Sequence, residues 1–464
     1  MASFFQSPKR VVFIGAAGEM CRLAVERFAK ASELSLVLAD INVDALQPLI
    51  AQLPAGRATA LKLDLNDRPS LLAATKGAAL VVLGAGPYTR TSDPVLTACL
   101  ENKVPYLDFD DDVESTTAAL ALHEKAKKEG VPCFIGCGAS PGLTNVLAID
   151  ATKGLDKVDS IDVCWLIGDE RPGVGKAVLE HLMHIAAGPC LTWAGGKATV
   201  NESWVETGYA PMYGDRGETL LHETAHPEPI TLPRLFPQAS RIRCLGGLHP
   251  APFNGIARGL GVAVRKQEIS LEDAVGFMMN LLNNPSPIEG WEATLGEVSG
   301  YLRGGDITLK ELWQVITHSA HAIGPWRHAI YGMLETIRTG ECSTGEVLSF
   351  LIDSARGKVA AYCGGLTVRA TGSRNGLPVA SIKRTAKYGE GSVLFKDMAA
   401  VTGGACAAFM ILALEEGHKL SGVFAPEDWA EPQAFYTALG RVGVPHDELA
   451  HWLDDGSEGS KSRL

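Results

Sequence analysis

The feature that most constrains the fold of this chain is a short apolar run that leads directly into a loop of small residues. Residues 11–14 read Val-Val-Phe-Ile, which is typical of a strand buried on both faces. The loop 15–20 reads Gly-Ala-Ala-Gly-Glu-Met, and helical spacing follows over about 19–30. Small residues let a pyrophosphate approach the backbone, and a helix N-terminus offers free N–H groups and a positive dipole end. The opening of the chain therefore predicts a dinucleotide-binding βαβ unit.

An acidic residue in the right place strengthens this prediction. The loop departs from the GxGxxG pattern, because Ala17 and Met20 stand at its second and third glycine positions. Asp40, however, ends the second strand pattern, where a carboxylate accepts hydrogen bonds from ribose hydroxyls and repels a 2′-phosphate. NAD is therefore expected rather than NADP; a tight turn without a ligand is the alternative. The predicted cofactor-contacting residues are Gly15, Ala16, Ala17, Gly18, Glu19, Met20, Asp40, Ile41, Asp64, Leu65, Gly84, Ala85, Gly86, Pro87 and Tyr88.

The alternation of patterns along the chain predicts the fold class. Strand and helix patterns alternate from 11 to about 135, which indicates a doubly wound parallel sheet. After about 155 the patterns change: 158–167 alternates as a half-exposed strand does, and 366–371 with 379–386 predicts an antiparallel hairpin. We expect a Rossmann domain at 1–150, a mixed α/β domain at 151–395 with a helical region at about 270–360, and C-terminal helices at 396–464 that return to the first domain.

Composition excludes several classes of function. The formal charge of −11 disfavours nucleic acid and anionic membrane surfaces as partners. The ten cysteines form no CxxC pair and are expected to be buried reduced thiols, with no metal site. The N-terminus lacks the pattern of a signal peptide, and no apolar stretch is expected to reach the roughly 18 residues of a membrane span. These features predict a cytoplasmic protein.

Two loops that follow predicted strands carry candidate site residues. Gly84 to Arg90 follows the fourth strand, where Tyr88, Thr89 and Arg90 offer a phenol, a hydroxyl and a carboxylate-binding guanidinium. The alternative is a simple turn with an exposed arginine. The fifth strand is followed by four aspartates at 108 and 110–112, which could hold an ammonium group, transfer protons or form a solvated turn.

Later segments add weaker candidates. The loop 136–145 follows the sixth strand, so Ser140 is a candidate for substrate contact and Cys137 is expected to line the pocket as a small residue. His181 and His184, like His318 and His321, share a helix face by spacing, but without the zinc-protease glutamate we favour structural roles. His226, in a proline-rich turn, remains ambiguous from spacing alone.

Taken together, these segments resemble the saccharopine dehydrogenase-like family over nearly the whole chain. The opening loop is similar to the family's cofactor loop, and 138–145 to its turn after strand six. The segment 226–233 is similar to part of the family's second domain, and 402–403 with 422–427 to its C-terminal return. The family includes saccharopine, lysine 6- and carboxynorspermidine dehydrogenases. The helical region at 270–360 makes this chain longer than the lysine 6-dehydrogenase type.

The resemblance implies NAD(P)-linked oxidation of a C–N bond in a small amino-acid-derived substrate, commonly by a homodimer. For this activity, the candidates for proton transfer are Tyr88 and Asp110. The candidates for substrate contact are Arg90, Thr89, Ser140 and His226. Two alternatives stay open. One is an NAD-using transferase of the homospermidine synthase kind, and the other is a non-catalytic NAD-binding protein. The substrate and the direction of the reaction do not follow from the sequence.

Overall fold

A computed structural model describes residues 9–212, 218–283, 291–312, 314, 324–385 and 387–445. The second histidine pair, His318 and His321, and the last residue of the predicted hairpin, Ala386, lie outside the described residues.

The first sheet is parallel and follows the predicted alternation. In the described part of the chain its strands are β1 (Arg10–Ile14), β2 (Ser35–Asp40), β3 (Ala58–Lys62), β4 (Leu80–Leu83), β5 (Tyr106–Asp108), β6 (Pro132–Phe134) and β15 (Gly422–Phe424). These seven strands lie in the order β15-β6-β5-β4-β1-β2-β3. All its pairings are parallel, which confirms the predicted doubly wound class.

Helices connect these strands on both faces of the sheet. They are α1 (Glu19–Ala31), α2 (Gln47–Gln52), α3 (Arg68–Thr75), α4 (Tyr88–Asn102), α5 (Val113–Ala121), α6 (His123–Glu129) and α7 (Leu143–Thr152). A 3₁₀ turn at Val43–Leu46 leads directly into the short α2. The helical stretch after β5 is interrupted at Leu122, so α5 and α6 are separate.

The chain returns to the first sheet near its C-terminus. Helix α15 (Met398–Glu415) packs on α1, and β15 extends the sheet beside β6. Phe424 of β15 stacks on Phe134 of β6, with ring centroids 6.4 Å apart. A last helix, α16 (Pro432–Arg441), covers α15. The first sheet is therefore built from both ends of the chain.

The second sheet is mixed. Its strands are β7 (Lys157–Ile167), β8 (Pro189–Ala194), β9 (Lys197–Glu202), β10 (Thr207–Ala210), β11 (Thr219–Glu223), β12 (Arg241–Leu248), β13 (Gly365–Arg374) and β14 (Leu377–Arg384). Strand β7 lies centrally between β12 and β13, and its residues are buried almost throughout. The expectation that 158–167 is half-exposed is wrong, because both faces of this central strand are covered.

The predicted hairpin is present. Its first strand is longer than expected, and its second strand has the expected length but begins two residues earlier. β13 and β14 pair in antiparallel register, and Asn375 and Gly376 both have positive φ, at 52° and 77°. Two left-handed residues are what a two-residue type I′ hairpin turn requires.

The second domain also contains seven described helices, most of which belong to the predicted helical region. They are α8 (Lys176–Ala187), α9 (Glu228–Thr231), α10 (Pro252–Arg265), α11 (Leu271–Asn283), α12 (Trp291–Gly304), α13 (Pro325–Arg338) and α14 (Thr344–Ala355). The structure thus has a parallel Rossmann-like sheet and a mixed second sheet, as predicted; the domain boundaries at 150 and 395 stay predictions.

One described helix, α15, is long and apolar enough to cross a membrane by length and composition. The expectation that no stretch reaches this length is therefore wrong. However, 83% of the helix is buried inside the protein. Its apolar character is accounted for by packing in the core, a setting in which a helix is hydrophobic all round.

Candidate active site

The loop after β1 adopts the geometry that the sequence predicts for phosphate binding. Gly15 has φ +81°, and a Cβ there would lie 2.6 Å from the backbone nitrogen of Ala85. Gly18 caps α1, and its N–H donates to the Gly15 carbonyl at 3.1 Å. Gly18 and Glu19 are exposed at the start of α1. The first N–H groups of the helix therefore face an accessible surface.

Asp40 supports the same loop. Its Oδ2 accepts a hydrogen bond from the Ala17 N–H at 3.0 Å, and its Oδ1 accepts from the Asn42 N–H at 2.9 Å. The neighbouring Ile41 is 65% exposed. The carboxylate thus fixes the turn between two strand ends and leaves an apolar surface beside it.

These residues fit a dinucleotide. Gly15 and Gly84 lie where a Cβ would collide with neighbours, at 2.6 Å and 2.7 Å, so both backbones are packed as closely as glycine allows. The exposed N-terminus of α1 supplies donors and a positive dipole end for a pyrophosphate.

Asp64 occupies an exposed turn after β3. Its Oδ1 accepts hydrogen bonds from the backbone N–H and the side-chain amide of Asn66, both at 2.9 Å. The Asp64 side chain therefore closes a turn on its own chain. Contact of Asp64 or Leu65 with the cofactor stays a prediction.

A cavity of about 380 Å³ extends from the phosphate loop into the second domain. On one side lie Gly18, Met20, Gly86 and Tyr88 at the carboxyl ends of the parallel strands. On the other side lie residues of β7, α8 and α10 from the second domain. Ligands of doubly wound proteins bind at this edge of the sheet. The cavity is therefore the candidate active site.

The four aspartates after β5 divide into two pairs. Asp108 is buried and accepts from the Tyr106 hydroxyl at 2.7 Å, and burial raises its pKa to about 6. Asp110 is also buried, accepts from Ser92 at 2.9 Å, and has a pKa raised well above the ordinary range by burial and by Asp108. Asp111 and Asp112 line the cavity, whereas Asp108 and Asp110 lie behind it.

His181 of α8 reaches across the cavity to this acidic loop. Its Nδ1 lies 2.9 Å from Asp112 Oδ1, and its Nε2 lies 3.3 Å from Asp111 Oδ2. Burial alone would lower the pKa of His181, but the carboxylates of Asp111, Asp112 and Asp110 outweigh burial and raise the pKa to about 9. His181 is therefore an imidazolium at neutral pH, held between two carboxylates.

A second histidine lies beside the first. The rings of His181 and His226 are 5.9 Å apart, and His226 packs 5.5 Å from Trp165. His226 Nδ1 lies 3.5 Å from Glu228 Oε2, while Glu228 Oε1 accepts from Ser140 at 2.5 Å. Burial would raise the pKa of Glu228, but His226 and Ser140 outweigh burial and lower it. Glu228 therefore holds both His226 and Ser140 at the cavity wall.

The residues predicted from the loop 84–90 separate in space. Tyr88 lines the cavity, packs edge-on against Phe109 and has no hydrogen-bond partner for its hydroxyl among the described residues. Burial, followed by the nearby aspartates, raises the pKa of Tyr88 well above its ordinary value, so the phenol stays protonated. Thr89 and Arg90 line a neighbouring groove instead, where Arg90 is 71% exposed and 3.8 Å from Glu180.

Two groups of side chains lie close enough to share a cation: His226, Glu228 and Cys244, and Asp111, Asp112 and His181. In the first group, burial raises the pKa of Cys244 strongly, so the thiol stays neutral. In the second, the imidazolium already pairs with both carboxylates. The absence of a metal site stays a prediction.

The sequence did not predict that His181 pairs with Asp111 and Asp112. It also did not predict that Asp111 lines the cavity whereas Asp110 does not. The histidine spacing on α8 and the aspartate run after β5 were both visible. Their pairing was not, because about 70 residues separate the partners along the chain.

Comparisons with known proteins agree with the predicted resemblance. Residues 11–134 match the family model of the saccharopine dehydrogenase NADP binding domain. A segment of 94 residues is 33% identical to carboxynorspermidine synthase of Vibrio cholerae. That match covers 18% of this chain and 22% of the relative, so the chain spans about a fifth of the curated relative's length.

A solved structure extends the likeness to the whole fold. Saccharopine dehydrogenase (L-Glu forming) of Saccharomyces cerevisiae superposes with a TM-score of 0.58, covering 96% of this chain and 99% of that chain. The two sequences are 12% identical, so this match concerns the fold alone.

Proposed function

We propose that this chain is an NAD-dependent oxidoreductase acting on the C–N bond of a small amine or imine. The match of residues 11–134 to the model of the saccharopine dehydrogenase NADP binding domain supports this proposal. One observation carries the proposal. A cavity that begins at the phosphate loop contains an imidazole whose pKa of about 9 suits proton exchange with an alkyl amine.

The residues for holding the dinucleotide are those of the loop 15–18 with Asp40. When bound, the nicotinamide would accept a hydride from the substrate carbon that carries nitrogen, or return one to it. The protein binds and orients both molecules and handles the proton on nitrogen.

His181 is the proposed proton-transfer residue. In the oxidative direction, His181 would take the proton of the substrate ammonium in its neutral form, which becomes populated as the pH rises toward about 9. Bound NAD would supply the hydride acceptor for the carbon that carries nitrogen, which would leave the substrate as an iminium ion. Tyr88 stays protonated, which suits donation of a hydrogen bond rather than action as a base. Asp110 lies behind the cavity wall. Its proposed role is to position Asp112, because its Oδ1 accepts a hydrogen bond from the Asp112 N–H at 2.8 Å.

The decisive experiment is NADH formation followed by absorbance with a panel of amines. Steady NADH formation supports the oxidoreductase and contradicts a non-catalytic NAD-binding protein. A transferase that returns the hydride would convert amines without accumulating NADH. Under turnover conditions, His181→Gln is expected to lower kcat by about 10²–10⁴-fold, the usual contribution of general acid–base catalysis.

The preference for NAD is proposed from Asp40. Asp40→Asn keeps an oxygen for the Ala17 N–H but removes the charge that would repel a 2′-phosphate. We expect NADPH to bind this variant more tightly than it binds the native protein. NADH is expected to bind more weakly, because asparagine offers one acceptor oxygen where Asp40 uses two. Tighter binding of NADPH than NADH to the native protein would contradict this assignment.

A further inference from the structure

The chemistry of the cavity wall differs between its two ends. Part of the wall formed by the second domain is apolar, with Leu179, Leu182 and Ile185 projecting from one face of α8. Phe253 of α10 and Met278 of α11 complete this wall. A chamber of this composition favours an alkyl or aryl group and disfavours a second charged group far from the acidic loop.

The charged groups on the wall are mainly acidic. Of the described residues that line the cavity, Glu19, Asp111, Asp112, Asp169 and Glu170 are acids, Lys176 is the one lysine, and none is an arginine. The Lys176 side chain is 64% exposed and lies 3.3 Å from Glu180.

The nearby arginines are engaged elsewhere. Arg171 is buried and makes two hydrogen bonds to Asp169, at 2.7 and 2.8 Å. Arg90 lines the neighbouring groove beside Glu180. Among the described residues, the cavity wall therefore carries no guanidinium, the group that binds a carboxylate through two parallel hydrogen bonds.

In the acidic loop after β5, Asp111 is open to a cationic ligand. Asp111 keeps 33% of its side chain exposed, and His181 occupies one oxygen at 3.3 Å. Asp112 is 4% exposed and is held by the other nitrogen of His181 at 2.9 Å. The two carboxylates with one imidazolium leave a net charge of about −1 at this end of the apolar chamber, which complements one ammonium group.

We propose that the substrate is a monoamine with an apolar alkyl or aryl body and no carboxylate, whose nitrogen binds at Asp111 and whose body fills the chamber between α8, α10 and α11. This inference rests on the proposed amine oxidoreductase function and narrows its substrate. It departs from the amino-acid-derived substrate that the resemblance implies.

The test compares matched ligands that differ only by a carboxylate. Hexylamine and 2-aminoheptanoate share the same chain and nitrogen. We expect NADH formation with hexylamine, with kcat/KM at least 100-fold higher than with 2-aminoheptanoate. Across shorter alkylamines, kcat/KM is expected to fall about fourfold for each methylene removed. Equal or higher kcat/KM with 2-aminoheptanoate would overturn the substrate class and leave the oxidoreductase function standing.

Direct binding separates this inference from the function on which it rests. Hexylamine binding to the NADH complex, measured by calorimetry, supports the substrate class even if no amine is oxidised. In that case the proposed oxidoreductase function would be contradicted, and the proposed class of ligand would not. Failure of hexylamine to bind, or binding no tighter than 1-hexanol, would overturn the substrate class.

Variants locate the binding site of the nitrogen. Asp111→Asn is expected to weaken hexylamine binding about 10–100-fold while leaving 1-hexanol binding unchanged. Glu114→Gln is the matched control, because Glu114 also pairs with a histidine, His184 at 3.3 Å, but does not line the cavity. An equal loss in both variants would contradict a specific role for Asp111.

Discussion

At the scale of single residues, Gly15 is restricted in two independent ways. Its φ of +81° lies in the left-handed region, and the direction of a Cβ is blocked by backbone and side-chain atoms of Ala85 at 2.6–2.7 Å. The left-handed φ is unfavourable for any residue with a side chain, and the contact with Ala85 leaves no room for a Cβ unless the backbone moves. The phosphate loop therefore depends on glycine at this position more than at Gly18, where the nearest atom would be 3.3 Å away.

Replacing Gly15 by alanine is expected to weaken NADH binding at least 10-fold and to lower stability by about 2–4 kcal/mol. Gly56→Ala is the matched control, because Gly56 has a similar φ of +74° but nothing within 4 Å of the added Cβ. It is expected to cost about 1 kcal/mol and to leave NADH binding unchanged. Fluorescence titration and urea unfolding measure both quantities, and equal effects in the two variants would contradict the close-packing argument.

His181 makes the stability of the protein depend on pH. Its pKa is raised in the folded state from an ordinary 6.5 to about 9, so the ion pairs with Asp111 and Asp112 stabilise the fold fully below about pH 6.5. That stabilisation is lost as the pH rises through about 9. A pKa rise of this size corresponds to a contribution on the order of 3 kcal/mol.

Comparison with His181→Gln isolates this contribution from other titrating groups. Between pH 6.5 and 10, the free energy of unfolding of the native protein is expected to fall by about 2–3 kcal/mol more than that of the variant. Urea unfolding at the two pH values measures the difference. Parallel losses in both proteins would show that His181 does not carry the effect.

At the scale of elements, α1 and α15 approach so closely that glycine is required between them. A Cβ at Gly403 of α15 would lie 2.7 Å from the Leu23 Cβ and 2.8 Å from the Met20 carbonyl oxygen of α1. Because α1 begins at the phosphate loop, the position of α15 bears on the cofactor site. Helix α8 also supports the site, because it carries both His181 and apolar side chains that line the cavity.

Gly403→Ala is expected to destabilise the protein by about 1–3 kcal/mol, because backbone atoms of α1 must move to admit the methyl group. Gly404→Ala in the same helix meets only Leu394 Cδ1 at 3.5 Å, an ordinary contact. That variant is expected to be neutral or up to about 1 kcal/mol more stable, as usual for glycine to alanine in a helix. Thermal unfolding of both variants tests the prediction, and similar melting temperatures would contradict it.

At the scale of the whole molecule, the Rossmann-like sheet is not complete in the first 150 residues. Strand β15 and helix α15 come from beyond residue 395 and bury apolar residues against β6 and α1. A fragment of residues 1–155 is therefore expected to lack cooperative unfolding and NADH binding. Adding residues 396–445 as a separate chain should restore part of both. Calorimetry and NADH fluorescence are the measurements; tight NADH binding by residues 1–155 alone would contradict the expectation.

The sequence predicted the parts of the fold that depend on local pattern. The run 11–14, the glycine loop and Asp40 lie within one βαβ unit, and the alternation up to about 135 has a clear period. The burial of β7 was not predictable in this way, because it depends on neighbours from β12 and β13. The pair of His181 and Asp112 joins two domains, so no local pattern shows it. The positions of site residues could be predicted least well from the loops alone. Tyr88 and Arg90 are two residues apart in the chain, but Tyr88 lines the cavity and Arg90 lines the neighbouring groove.

The return of the chain to its first sheet also sets the order in which the protein can mature during synthesis. About 290 residues separate the end of β6 from the end of β15. At roughly 5–20 residues per second, translation of that interval takes on the order of 15–60 s. During this time the nascent first domain has an unpaired strand edge and an uncovered α1. We therefore expect dinucleotide binding to follow synthesis of residue 424, and a chain released earlier to be recognised by chaperones or proteases.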